Sequence, residues 1–256
     1  MILIDTHTHL FLEQFDEDRS TVVEEALKND VKKMFLPNID SNTTEKVVQM
    51  AKAYPDICYP VIGLHPTSVK ENYRDELEQL EQWLQKEKFY AIGETGIDLY
   101  WDKTFKKEQE EAFKFQINLA KQSSLPLIIH ARESFDEIFA IVDDLNDERL
   151  KGIFHSFTGT SGQAEKILSY KGFKIGIGGI VTFKNSGLAD VVAKIGLEHL
   201  VLETDSPYLA PTPKRGKRNE SSYLIHIAQK IADIYNTDIE TVAKITTQNA
   251  TTLFKI

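Results

Sequence analysis

The stretch "LIDTHTHL", residues 3–10, closes a short apolar run with two histidines two residues apart. Side chains alternate along a β-strand, so His7 and His9 at a strand end point to one face, as two ligands of one metal ion must. By itself the pair fits a polar strand edge equally well. What decides between these is whether further ligands stand at equivalent places downstream.

Seven more runs follow the pattern of the first: "KMFLPN", "CYPVIGL", "FYAIGE", "LPLIIH", "GIFHSF", "FKIGIGG" and "LVLETD". Each is short and nearly continuous in apolar character, as expected of parallel strands covered on both faces. With Asp5, Asn38, His65, Glu94, His130, His155, Gly179 and Asp205 as strand ends, the intervals are roughly 24 to 36 residues, enough for strand, loop and helix. The chain therefore reads as an α/β protein, a (β/α)8 TIM barrel in one domain over residues 1–256.

The segments between the runs have the form of outer helices. In "RDELEQLEQWLQKE", Leu77, Leu80 and Leu84 make one apolar stripe among charges. "FKKEQEEAFKFQINLAKQ" repeats the arrangement with Phe105, Ala112, Phe113, Phe115, Ile117 and Leu119, and its charge run is a solvated face. "YLIHIAQKIADIYN" and "IETVAKITTQNATTLF" read as closing helices of the same unit, because no Gly/Ser-rich linker precedes them.

Composition narrows the function. A net charge of -9 opposes sequence-independent attraction to polyanions, so any nucleic-acid contact has to be local. One cysteine, Cys58, excludes a disulfide framework and a cysteine-rich zinc site, and fits a reducing, cytoplasmic setting. No apolar run is long enough for a membrane span, and no secretion signal is expected.

Five of the seven histidines, His7, His9, His65, His130 and His155, fall at strand ends, with Glu94 and Asp205 at two others. In a barrel of this kind the C-terminal strand ends form one mouth, so residues far apart in sequence converge there. Singly, each histidine is explicable as a core residue bonded to a carbonyl. Their joint placement points to a metal centre. His199 and His226 stand in helical or loop contexts and are read as ordinary surface or packing residues.

The motifs "DTHTHL", "GLHP", "IGETGID", "HAR", "HSFTG", "ETDSPYLAP" and "KRGKRNE", in that order, resemble the TatD-type metal-dependent deoxyribonucleases of the amidohydrolase superfamily along essentially the whole chain. The resemblance implies a divalent-metal barrel that hydrolyses phosphodiester bonds in DNA, with His7, His9, Glu94, His130, His155 and Asp205 as metal-binding positions. Six ligands exceed the needs of one zinc ion, so two divalent ions, zinc, manganese or magnesium, are expected, with Glu94 as bridge. Asp205 is the candidate base. His65, outside the ligand set, is placed to hold a phosphate oxygen or protonate the leaving oxygen, its alternatives being a seventh ligand or a structural role.

Around this set, Glu203 shares a strand face with Asp205 and is placed to orient a ligating histidine. Arg132 stands two residues after His130 and either pairs with phosphate or bridges neighbouring loops. Lys214, Arg215, Lys217 and Arg218 form the densest basic cluster of an acidic chain, suited to a phosphate backbone or simply to a solvated loop. Tyr208 is placed either to stack on a base or to pack. The expected activity is exonucleolytic hydrolysis of DNA, on single strands or frayed ends. Hydrolysis of a small amide or ester by the same metals, or a non-catalytic metal-binding scaffold, are the competing functions. Oligomeric state is left open, a monomer included.

Overall fold

In the computed structural model, which describes residues 1–256, eight strands alternate with helices: β1 (Leu3–Asp5), β2 (Val31–Pro37), β3 (Cys58–Val61), β4 (Ile92–Asp98), β5 (Leu127–Arg132), β6 (Gly152–Phe154), β7 (Phe173–Ile177) and β8 (Leu200–Leu202). Every pairing is parallel. β1–β2–β3 and β4 to β8 form two continuous ladders. Two isolated parallel bridges, Ile62 to Ile92 and Thr8 to Ser206, join them into a closed barrel, the expected (β/α)8 architecture.

The helices are α1 (Arg19–Lys28), α2 (Ser41–Ala53), α3 (Tyr73–Lys86), α4 (Lys106–Ser123), α5 (Phe135–Leu145), α6 (Ser161–Ser169), α7 (Leu188–Val192), α8 (Leu224–Tyr235) and α9 (Ile239–Phe254). The stripes anticipated in α3 and α4 face inward: Leu77, Leu80, Ala112, Phe113, Ile117 and Leu119 are buried, while Leu84 and Phe115 are half-buried. A second buried cluster draws Ile4, Phe35, Val61, Ile128, Ile153 and Val201 from six strands, together with Ala250, Leu253 and Phe254 of α9. The Phe254 ring lies 3.8 Å from that of Phe35. This apolar plug seals the end of the barrel where the strands begin, leaving the other mouth for polar side chains.

Some expected strand ends lie elsewhere. Glu94 and His130 sit inside β4 and β5, whereas His65, Asp205 and Gly179 lie beyond their strands. Around Glu94 the pairing of β4 with β5 shifts register between Ile92 and Thr95, and Gly93 and Gly96 take φ values of 146° and 142°. Only glycine adopts these without strain, and a Cβ on Gly93 would stand 2.7 Å from the Ile128 backbone oxygen. The irregular stretch keeps Glu94 in the middle of the mouth.

Candidate metal centre

Glu94 occupies the centre, with its side chain only 3% exposed. Its two oxygens face different neighbours. Oε2 lies 3.0 Å from His7 Nε2 and 3.8 Å from His9 Nε2. Oε1 lies 2.6 Å from His130 Nδ1, 3.3 Å from His65 Nε2 and 3.7 Å from His155 Nε2. Asp205 closes the ring from the β8 side, with Oδ1 3.6 Å from His9 Nε2 and 3.9 Å from the Nε2 atoms of His7 and His155. Asp205 adopts φ 57°, an unfavourable left-handed conformation for a side-chain-bearing residue and a type of strain that gathers at functional sites.

The far side of each histidine decides which ring nitrogen offers a lone pair. His9 Nδ1 donates to the Pro37 carbonyl at 3.1 Å, leaving Nε2 as the free acceptor toward Glu94 and Asp205. His130 is turned the other way: Nε2 donates to Asp98 Oδ2 at 2.9 Å, and in the metal-free chain Nδ1–H donates to Glu94 Oε1 at 2.6 Å, so Nδ1 is the nitrogen a cation would take. His155 Nδ1 stands 3.1 Å from Glu203 Oε1, an ion-pair contact without hydrogen-bond alignment, and Nε2 turns inward. His65 is the exception. The backbone N–H of Thr67 donates to His65 Nδ1 at 3.2 Å and the Thr67 hydroxyl lies 2.7 Å from the same nitrogen; with Nδ1 accepting from both, the neutral ring carries its proton on Nε2 and presents a donor.

His7 Nε2 and His9 Nε2 approach to 3.1 Å, and the buried His7 Nδ1 has no partner. Such a convergence of imidazole nitrogens and carboxylate oxygens fits a divalent cation. Three groups have donor atoms close enough to hold one: His7, His9 and Glu94; His7, His155 and Glu203; and His65, Glu94 and His130.

Charges follow the same geometry in the metal-free chain. Burial lowers His7 to about 4, assisted by the neighbouring His155. Burial also opposes charge on His130 and His155, but Asp98 and Glu94 raise the first to about 9, and Glu203 and Glu94 raise the second to about 10. Glu94 is held well below the carboxylate range because the surrounding histidines outweigh its burial. Burial keeps His65 below its ordinary value and hence neutral.

Three supporting groups escape a reading of the sequence or gain a definite role. Asp98, absent from the sequence-derived site, holds His130 with one oxygen and the backbone N–H groups of Tyr100 and Trp101 with the other. Its place two positions beyond Gly96 on the strand of Glu94 was the available signal. Asp5 accepts from the N–H groups of His7 and Thr204 and from the Thr204 hydroxyl, tying β1 to the end of β8; burial pushes its carboxyl up to about 7. Glu203 also accepts from the Ser156 backbone N–H, and a Cβ on Gly176 would overlap its carboxylate. The glycine in β7 therefore makes room for Glu203.

The remaining candidates divide. Arg132 is exposed without an acidic partner, its guanidinium 3.9 Å above the Tyr100 ring. Arg215 lies 4.0 Å over Phe183, Lys214 5.0 Å over Tyr223, and Lys217 is exposed; none pairs with a carboxylate. Arg218 does not belong with them. Its guanidinium binds both oxygens of Asp18 at 2.9 and 2.6 Å and reaches Glu220 at 3.1 Å, so its charge is spent on anchoring the loop. Tyr208 is 47% exposed, with its ring 6.2 Å from His9. His199 pairs with Glu198 and His226 packs near Tyr223, both outside the cluster.

The chain is 39% identical over 256 residues to the "Uncharacterized metal-dependent hydrolase YabD" of Bacillus subtilis, covering 100% of both chains. It is 30% identical to the "3'-5' ssDNA/RNA exonuclease TatD" of Pantoea ananatis, over 98% of this chain and 99% of that one. The crystal structure of the TatD homologue YjjV of Escherichia coli superposes with a TM-score of 0.93 at 30% identity, covering 99% of this chain and 98% of that one. The family model for TatD related DNases matches residues 4–255, and the chain belongs to that family of metal-dependent hydrolases.

Proposed function

We propose that this protein is a metal-dependent phosphodiesterase that trims single-stranded nucleic acid from an end, using two divalent ions that the histidines and carboxylates around Glu94 would hold. The observation that carries this reading is the sorting of the histidines. His9, His130 and His155 each have an acceptor behind the ring and turn the other nitrogen toward Glu94 and Asp205, where a bound cation would take the place of any proton, while the outward nitrogen of His65 is occupied by Thr67. His7, His9 and Asp205 would hold one ion and His130 and His155 the other, with the Glu94 carboxylate lying between the two sets. The imidazole content favours zinc or another transition ion, with manganese and magnesium also compatible with the carboxylates.

Bound there, divalent ions supply Lewis acidity that lowers the pKa of water and offsets charge on the phosphoryl oxygens. The chain's own groups do the rest. Asp205 is the carboxylate open to the mouth, 15% exposed against 3% for Glu94. Although burial acts to raise its pKa, His9 and the charges of His155 and His7 hold it below the usual value, so it is ionised and able to accept a proton from the attacking water. His65, neutral and with Nε2–H facing the centre, donates to a phosphoryl or leaving oxygen. Lys214, Arg215 and Lys217 draw the strand to an otherwise acidic protein, and the buried free thiol of Cys58 fits a cytoplasmic setting.

The test is incubation of metal-defined protein with end-labelled single strands blocked at one terminus or the other. A product ladder that a block at one end abolishes supports the reading. No cleavage with zinc, manganese or magnesium, alongside hydrolysis of small amides or esters, would replace it with an amidohydrolase activity.

A further inference from the structure

Six large apolar or aromatic side chains are exposed in this protein, and four of them, Tyr100, Trp101, Tyr208 and Leu209, lie on two loops at the mouth. Trp101 is 69% exposed and Tyr100 50%. Large aromatic rings left together in water at a functional mouth call for an explanation beyond the ordinary scatter of surface apolar residues.

The loop that carries them is fixed at both ends. Asp98 Oδ1 accepts the backbone N–H of Tyr100 at 2.9 Å and of Trp101 at 3.2 Å, while its other oxygen holds His130. Asp102 accepts the N–H of Thr104 at 2.9 Å and pairs with Lys70 at 3.2 Å. The two rings meet edge to face, with centroids 4.9 Å apart at 87°. Arg132 lies over Tyr100 at 3.9 Å and 5.3 Å from the Trp101 ring centroid. One face of its guanidinium is stacked, and its N–H groups have no protein acceptor.

We propose that Tyr100, Trp101 and Arg132 form a nucleotide station beside the metal centre, in which an unpaired base stacks on Trp101 and its phosphate meets the Arg132 guanidinium. The inference rests on the phosphodiesterase reading and specifies how that site selects its substrate. A flat π-surface with an unpaired cation beside it matches a base with its phosphate. Bases inside a duplex keep both faces covered by their neighbours, so the station admits single strands and rejects paired ones. Asp98 ties the station to His130, fixing the distance between the held nucleotide and the reacting phosphate.

Trp101 and Trp83 are the two tryptophans of the chain, and Trp83 lies on α3. In a Trp83→Phe background the fluorescence therefore reports Trp101 alone. Metal-loaded protein of this background is titrated with a cleavage-resistant phosphorothioate oligothymidylate and with the same backbone lacking bases. Saturable quenching by the first and little by the second is expected. In cleavage assays the native protein should prefer the base-bearing strand over its abasic counterpart through KM by about 5- to 150-fold. Trp101→Ala should abolish that preference and Trp101→Phe should keep most of it. Equal quenching by both strands, or a Trp101→Ala protein that still discriminates, would overturn the station. Native protein that cuts no strand with any divalent metal removes the phosphodiesterase reading, and the station then stands or falls on the quenching alone.

Discussion

Replacing Asp98 with asparagine preserves shape and removes one buried charge, and its consequence can be followed atom by atom. The carboxylate accepts three hydrogen bonds, from His130 Nε2, Tyr100 N and Trp101 N. An amide has a single acceptor oxygen. If that oxygen keeps the two backbone donors, the NH2 group meets His130 Nε2 and forces the ring proton onto Nδ1, 2.6 Å from Glu94 Oε1. Nδ1 is then a donor and no longer offers a lone pair to a cation. Loss of a hydrogen bond to a charged group costs about 1.5–3 kcal/mol. Removal of such a supporting acceptor costs about 10- to 100-fold in metal affinity or activity, which is roughly 1.4–2.8 kcal/mol. The two figures agree. Competition of the purified Asp98→Asn protein with a zinc-sensitive chelating dye reads the affinity directly, and a thermal melt confirms folding. Affinity and turnover both equal to the native protein's would refute the argument that Asp98 sets the His130 tautomer.

His65→Ala should retain the native metal content and lose about 100-fold or more in turnover, within the range for a general acid–base group; loss of metal measured by elemental analysis would make His65 a ligand instead. Arg215→Ala combined with Lys217→Ala should weaken oligonucleotide binding similarly for different sequences and flatten its log–log salt slope by about 1.4. An unchanged salt slope would remove the loop from the binding surface. The metal-free protein should lose thermal stability as pH rises from 6.5 through about 10, since His130 and His155 are raised to about 9 and about 10 and the folded chain holds protons that the unfolded chain releases. Their contribution is complete below 6.5. In the metal-loaded protein these rings are neutral ligands and that slope should shrink; a flat midpoint for the metal-free form across the same range contradicts the pKa assignment.

The barrel was legible because parallel strands covered on both faces need continuous apolar runs, and the chain contains eight of them. The gathering of His7, His9, Glu94, His130 and His155 with Asp205 followed from placing those runs around one mouth. What the sequence concealed depends on side-chain direction. Asp98 lies four positions along β4 from Glu94, and its contact with His130 arises from the shifted register between β4 and β5. The separation of His65 from the ligands rests on Thr67, whose backbone N–H and hydroxyl both meet Nδ1. Arg218 looked equivalent to Lys214, Arg215 and Lys217 in a run of cations, but folding brings Asp18 from the start of α1 against it. Asp5 likewise reads as part of an apolar strand until Thr204 arrives from the opposite end of the chain.

The most direct test of the central claim is stepwise titration of metal-stripped protein with zinc or manganese, following bound metal and single-strand cleavage in the same sample. Two ions astride Glu94 predict that the stripped protein is inactive, that cleavage rises mainly with the second equivalent, and that Glu94→Gln binds less metal and does not recover activity. Cleavage without metal, full activity at one equivalent, or a Glu94→Gln protein with native metal content and rate would contradict it.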